Sequence, residues 1–234
     1  MALGPMDGNT WRRYRLIVER GEAPVFFLEP DNPDEWPAQW MRAGFSPVAT
    51  YTSAMNEDLG QEDRRTDERL VQLARDGIRI RTIDPNRIDE ELRRIHRLSL
   101  AAFRRNFLYT PLGEREFVAQ YHAILPFVRP DLVLLAERQD ELLGFMFALP
   151  DVLQARRGSA VDTVILKTIA VHPSAAGSGL GSALMDVVQR AARQHGFTRA
   201  IHALIHESNT SRRISDRYAC TIRRYALFAR TLPT

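Results

Sequence analysis

IAVHPSAAGSGLGS, residues Ile169–Ser182, joins an apolar strand to an amphipathic helix through three glycines. Residues 161–171 are apolar and β-branched, which predicts a strand ending in Ile169-Ala170-Val171. His172-Pro173 then turns the chain. Beyond the turn, Leu180, Leu184, Val187, Val188, Ala191 and Ala192 recur at helical spacing, and Gly196 follows as a C-cap. Gly177, Gly179 and Gly181 alternate along the turn, so three Cβ atoms are missing and backbone N–H groups can approach an anion closely. They stand at a helix N-terminus, where N–H groups lack intrahelical partners and the dipole favours negative charge. This predicts a pyrophosphate cradle. The spacing is GxGxG. It fits neither the dinucleotide fingerprint GxGxxG nor the P-loop, which needs Gly-Lys before a Ser or Thr. The competing reading is a glycine-rich structural loop, for which three spaced glycines are more than a turn needs.

Upstream, residues 78–83 (IRIRTI) alternate strictly and predict a half-buried strand. Ile88, Leu92, Ile95, Leu98 and Ala102 mark a helix over 88–103, and a second helix over 114–125 ends at Pro126. Two apolar strands, 132–136 and 142–149, flank the polar turn Arg138–Glu141. Downstream come a strand at 200–205, a short helix at 209–218 and a last strand at 222–231. This order predicts an α/β (α+β) domain of three α/β/α layers with a mixed central sheet. The most polar stretch, DLGQEDRRTD at 58–67, suggests a division into residues 1–62, a smaller N-terminal αβ lobe, and residues 63–234. The alternative is that it opens a helix running into Leu70-Val71-Gln72-Leu73.

Of the 234 residues, 44% are hydrophobic and 26% charged, as in an ordinary globular protein with enough apolar material for a core. A net charge of +3 is compatible with an anionic cofactor and too small to argue for nucleic acid. The single cysteine, Cys220, excludes an intramolecular disulfide. No run approaches the roughly 20 apolar residues of a membrane span, so no membrane partner and a cytoplasmic location are expected.

The strand, turn, glycines and helix resemble the signature of the GNAT superfamily of N-acetyltransferases, a V-x-P turn followed by R/Q-x-x-G-x-G/A. The matching residues are Val171-His172-Pro173 and Ala176-Gly177-Ser178-Gly179-Leu180-Gly181. The resemblance covers about Ile78 to the end. It implies acetyl-CoA as co-substrate and an amine acceptor, a small molecule or a peptide. It also implies that the backbone of Ile169, Ala170 and Val171 binds the pantetheine arm like an added strand. The N–H groups of Ala176, Gly177, Ser178, Gly179, Leu180, Gly181 and Ser182 would then hold the pyrophosphate. Ala176 stands where the family usually has Arg or Gln, so backbone donors must carry more of the charge. No metal is implied. Acceptor pockets of this family often lie near subunit contacts, which makes a homodimer an expectation.

The resemblance further places Asn209 against the cofactor, a role that can coexist with a helix N-cap. Tyr218 is the candidate acid beside the CoA thiolate, although the family's spacing lands nearer Asp216. A base must deprotonate the ammonium before attack. Many relatives carry a Glu in the central strand, where this chain has Leu166-Lys167-Thr168. Glu207 is therefore the candidate base, with His206 second. Asn106 and Tyr109, between two helices, are candidate acceptor contacts, with an ordinary loop as the alternative. The implied reaction is direct attack of the amine on the thioester in a ternary complex. A CoA-binding regulatory module without turnover, and an interaction protein with an empty glycine turn, are the alternatives. In the N-terminal lobe, a helix at 11–19, a strand at 25–28, a helix and a strand at 48–53 resemble the second half of an acetyltransferase unit, with Asn32 laid on Asn209 and Tyr51 on Phe228. An unrelated αβ extension is the alternative there. No second cofactor site is expected in the lobe.

Overall fold

Chain order in the computed structural model, which describes residues 1–61, 63–209 and 215–232, begins with short strands β1 (Ala2–Gly4) and β2 (Leu16–Glu19). Helix α1 (Trp36–Arg42) and the long strand β3 (Ser46–Asn56) follow. Next come α2 (Thr66–Arg75), β4 (Arg79–Thr82), α3 (Ile88–Phe103) and α4 (Glu114–His122). The antiparallel strands β5 (Val133–Arg138) and β6 (Glu141–Pro150) lead through α5 (Leu153–Arg156) to β7 (Thr163–Val171). The chain closes with α6 (Leu180–Gln194), β8 (Arg199–His206) and β9 (Cys220–Arg230). The α/β class expected from the sequence is what folds. No helix among the described residues is long and apolar enough to cross a membrane.

Contacts cluster the chain into two units. One joins Met1–Asn56 with His202–Thr234, and the other is Glu57–Ile201. Where the polar stretch suggested a division at 62/63, contacts divide at 56/57 and again at 201/202. The helix alternative for that stretch is also realised, because α2 begins at Thr66.

In the Glu57–Ile201 unit the strand order is β7-β6-β5-β4, with antiparallel neighbours. Residues 142–150 of β6 are buried without interruption, as a strand covered on both faces requires. Helix α3 buries Leu92, Ile95 and Leu98 of the periodic residues expected, while Ile88 and Ala102 at its ends are half-buried. Helix α6 buries Leu180, Leu184, Val188 and Ala192 as expected, and also Ala183 and Met185. Gly196 at φ +86° terminates it, and the Phe197 N–H reaches back to the Ala192 carbonyl at 3.1 Å.

In the other unit, β3 runs antiparallel to β9 from Ser46↔Ala229 to Met55↔Cys220, and β1 and β2 add to β9. The edge is sealed by Trp40 of α1, whose ring stands 4.6 Å from Phe45 and 6.1 Å from Phe228. Two expectations fail here. Residues 11–19 form no helix: Leu16–Glu19 is a strand, because its apolar residues pair with Tyr225 and Ala226 of β9. Residues 25–28 form no strand: Phe27 and Leu28 make a turn, with Leu28 at φ +64°. Asn32 is a buried clamp on β2, accepting from the Ile17 N–H at 2.7 Å. Tyr51 pairs with Tyr225 across the ladder.

Candidate functional site

Strand β7 changes character halfway. Its register with β6 runs from Gly144↔Val171 to Phe147↔Thr168, then steps to Ala148↔Leu166. Lys167 is therefore the extra residue of a β-bulge, which accounts for a lysine in mid-strand. Residues 163–166 are buried, whereas Lys167, Thr168 and Ile169 are half-buried. The bulge marks where the burial is first relieved, just before Ile169 and Val171, which are half-buried, and Ala170, which is buried.

The turn after β7 is built by local capping. The His172 side chain accepts from the Ser174 N–H at 3.2 Å. The Ser178 hydroxyl donates to the Ala175 carbonyl at 2.8 Å and accepts from the Leu180 N–H at 3.3 Å. Gly177 at φ +82° and Gly179 at φ +81° take the left-handed conformation that a side chain disfavours. A Cβ on Gly177 would meet nothing within 4 Å, so that face of the turn is open. Helix α6 is seated deeply because β6 offers Gly144 beneath it. A Cβ there would lie 3.0 Å from Leu180 and 3.1 Å from Leu184.

No acceptor among the described residues takes the N–H groups of Gly177, Gly179, Gly181 and Ser182. Four donors at a helix N-terminus, on an exposed turn with space above Gly177, fit an anion. Ala176 is exposed and brings no charge. A charged side chain nonetheless stands at the turn, unforeseen in the sequence. Arg69 of α2 passes Gly179, where its Cδ would lie 3.0 Å from an added Cβ.

The other expected residues fall as follows. Glu207 is exposed in the turn after β8, accepts from the Thr50 hydroxyl at 2.5 Å and pairs with Arg224 at 3.3 Å. His206 stands edge-on to Tyr51, and burial together with the Arg15 guanidinium lowers its pKa. Asn209 is exposed and donates its backbone N–H to the His206 carbonyl at 2.9 Å. Residues 210–214 of the expected helix over 209–218 lie outside the described residues, and 216–218 form a turn. Tyr218 is half-buried in a turn, its N–H on the Ser215 carbonyl at 2.9 Å. Asp216 is exposed in the same turn.

Asn106 is exposed, and Tyr109 is half-buried with its hydroxyl pKa raised by burial. Neither lines the apolar cavity of about 200 Å³ between α3, α4 and the sheet, which is bounded by Ile88, Leu92, Ile95, Tyr121, Phe145 and Phe147. Tyr121 was not foreseen either. Burial raises its pKa to about 12, and its hydroxyl bonds the side chain of Thr168 beside the bulge.

His202 of β8 is buried with Nδ1 at 2.8 Å from the Ser215 hydroxyl, and Nε2 has no partner among the described residues. Desolvation lowers its pKa to about 4. The unfolded imidazole binds a proton near pH 6.5, so the unfolded state holds more protons than the folded one between about pH 6.5 and 4. Stability attributable to this group is complete above pH 6.5 and falls as pH drops through that window, by up to about 3 kcal/mol. Urea denaturation at pH 7, 6 and 5 is expected to show this slope, and His202→Gln to flatten it. An equal slope in both proteins assigns the effect elsewhere.

The family model described as Acetyltransferase (GNAT) family matches residues 92–213, more than half of the chain. No curated protein matches. Among solved structures, a GCN5-related N-acetyltransferase from Sphaerobacter thermophilus is similar at TM-score 0.60 and 18% identity, over 82% of this chain and 54% of that one. The chain thus spans about half the length of that protein. A tandem GNAT protein from the clavulanic acid biosynthesis pathway matches at TM-score 0.54 and 15% identity, over 89% of this chain and 62% of that one. The C-terminal domain of a lysylphosphatidylglycerol synthetase from Agrobacterium fabrum matches at 0.51 and 11%, over 86% and 66%. At these identities the neighbours show a shared fold, and the family model reaches from α3 across the glycine turn and β8. With bulged strand, turn and seated helix all inside the matched residues, the chain belongs to the acetyltransferase (GNAT) family.

Proposed function

We propose that the protein is an acetyl-CoA-dependent N-acetyltransferase acting on a primary amine by direct attack. The observation that carries this reading is the left-handed Gly177–Gly179 turn at the N-terminus of α6, with four N–H groups lacking acceptors among the described residues. Such donors suit a pyrophosphate, which accepts charge-assisted hydrogen bonds. Ile169 and Val171, half-buried on either side of the buried Ala170, stand at the end of β7 where the family resemblance puts a pantetheine arm as an added strand. Acetyl-CoA, when bound, supplies the activated thioester. The chain orients it and accepts the ammonium proton. Glu207 or His206 is assigned the proton-accepting role because the family's strand carboxylate is missing here, and the resemblance assigns Tyr218 the proton-donating role and Asn209 the cofactor contact. Asn106 and Tyr109 stay assigned to the acceptor, and a homodimer stays the proposed assembly.

A second reading is a CoA-binding regulatory module without turnover. It is favoured by the bulged Lys167 and the absence of a carboxylate over residues 163–171, together with the ion pairing of Glu207. Calorimetric titration of acetyl-CoA, with ATP and NAD as controls, tests the shared part. Micromolar binding of acetyl-CoA alone is expected. Thiol release with an amine panel then separates the two: release dependent on an amine supports the enzyme, and binding without release supports the module. No binding of acetyl-CoA by folded protein removes both.

A further inference from the structure

Resting on this reading of the turn, we propose that Arg69 of α2 supplies the cation for the pyrophosphate that Ala176 does not. Arg69 lies upstream of the residues matched by the family model, on a helix that packs against α6. Its stem crosses the open face of Gly179. A Cβ built on that glycine would stand 3.0 Å from Arg69 Cδ and 3.3 Å from both Cγ and Nε. Glycine is needed at 179 both for its left-handed φ and to let this side chain pass.

The guanidinium is fixed in place. One terminal nitrogen donates to Asp186 at 3.0 Å and the other to Asp63 at 3.4 Å, and the Thr66 hydroxyl steadies Asp186 at 2.6 Å. Both carboxylates engage the terminal nitrogens. The Nε–H, on the edge beside Gly179, has no acceptor among the described residues, and the side chain keeps 17% of its surface open. A planar cation held by two carboxylates at one edge presents its remaining donor without rotamer search, which suits a phosphoryl oxygen. Arg69 therefore stands beside Gly179, where it takes the role that an Arg or Gln at position 176 would fill.

Calorimetry with CoA, 3′-dephospho-CoA and free pantetheine tests this on the wild type, Arg69→Gln and Arg69→Lys, each at two salt concentrations, alongside melting temperatures. In Arg69→Gln, CoA and 3′-dephospho-CoA are expected to weaken together by about tenfold, the worth of one charge-assisted hydrogen bond. Their salt dependence should shrink, and Arg69→Lys should recover part of the loss and of the salt dependence. Should Arg69→Gln fail to fold, Arg69→Lys decides alone: it removes Nε–H and keeps the charge, so intermediate weakening is expected and wild-type affinity overturns the proposal. Unchanged affinity in Arg69→Gln overturns it, as does a loss confined to CoA, which would place the contact at the 3′-phosphate. Equal weakening of pantetheine, with no change in salt dependence, would make Arg69 a purely structural support. Failure of the wild type to bind CoA at all is a different result, and it fells the reading of the turn itself.

Discussion

Arg223→Met is expected to destabilise the protein by about 3–5 kcal/mol, the cost of leaving one member of a buried ion pair alone. Arg223 of β9 and Glu29 are both fully buried, with Nε and Oε1 2.8 Å apart. The carboxylate also accepts from the Tyr225 hydroxyl and from the Phe26 N–H at 3.2 Å. The guanidinium donates to the backbone carbonyls of Arg20, Ala23 and Pro24. One side chain thus holds the irregular segment between β2 and α1 onto β9. Methionine keeps the stem volume and leaves the buried Glu29 carboxyl without its partner, beside three carbonyls that lose their donor. For a chain of this size the loss corresponds to a fall of about 6–20 °C in melting temperature. The double variant Arg223→Met/Glu29→Met removes the stranded charge, so its loss should be smaller than the sum of the two single losses. A single-variant cost below about 1 kcal/mol would mean that water reaches the pair and that the segment is held by its apolar contacts.

None of that network was legible in the sequence, and the reason is physical. Glu29, Arg223, Tyr225 and Arg15 are scattered along the chain, and it is the pairing of β9 with β2, far from it in sequence, that brings their segments together. Arg15, at φ +71°, is buried with its guanidinium 3.9 Å from the Tyr14 ring centroid and 4.1 Å from that of Tyr51. Periodicity carries no trace of such a stack. The expected helix at 11–19 and strand at 25–28 failed for the same cause. Tertiary pairing of Leu16 and Ile17 with β9 overrode a local pattern that was weak in either reading.

The segment from 78 to 205 was legible because its signals are local. Alternation at 78–83, helical spacing from Ile88 and the strand–glycine–helix run are all set by neighbours within a few residues. The bulge at Lys167 was visible only as an oddity, since a bulge shows in register and register needs the partner strand. Arg69 was invisible for a similar reason. Its proximity to Gly179 depends on α2 packing against α6, 110 residues away in sequence.

The turn itself admits a sharper test than its glycines suggested. A side chain at Gly179 would collide with Arg69, so a substitution there confounds charge with packing. Gly177 is free of that objection: it is exposed, its φ is +82°, and an added Cβ meets nothing within 4 Å. Asn and Asp tolerate the left-handed conformation better than other side chains, and they differ here only in charge. Both should fold with a similar cost of about 1 kcal/mol. Gly177→Asp places a carboxylate among N–H groups that suit an anion, where it both repels phosphate and competes for the donors. Its affinity for acetyl-CoA is expected to fall by about 100-fold or more, near 3 kcal/mol, whereas Gly177→Asn should stay within about tenfold of the wild type. Higher salt should narrow the gap between the two variants, because the difference is charge against charge. Equal, small losses in Asp and Asn would show that no phosphate lies over Gly177, and the turn would then serve only to seat α6 on β6.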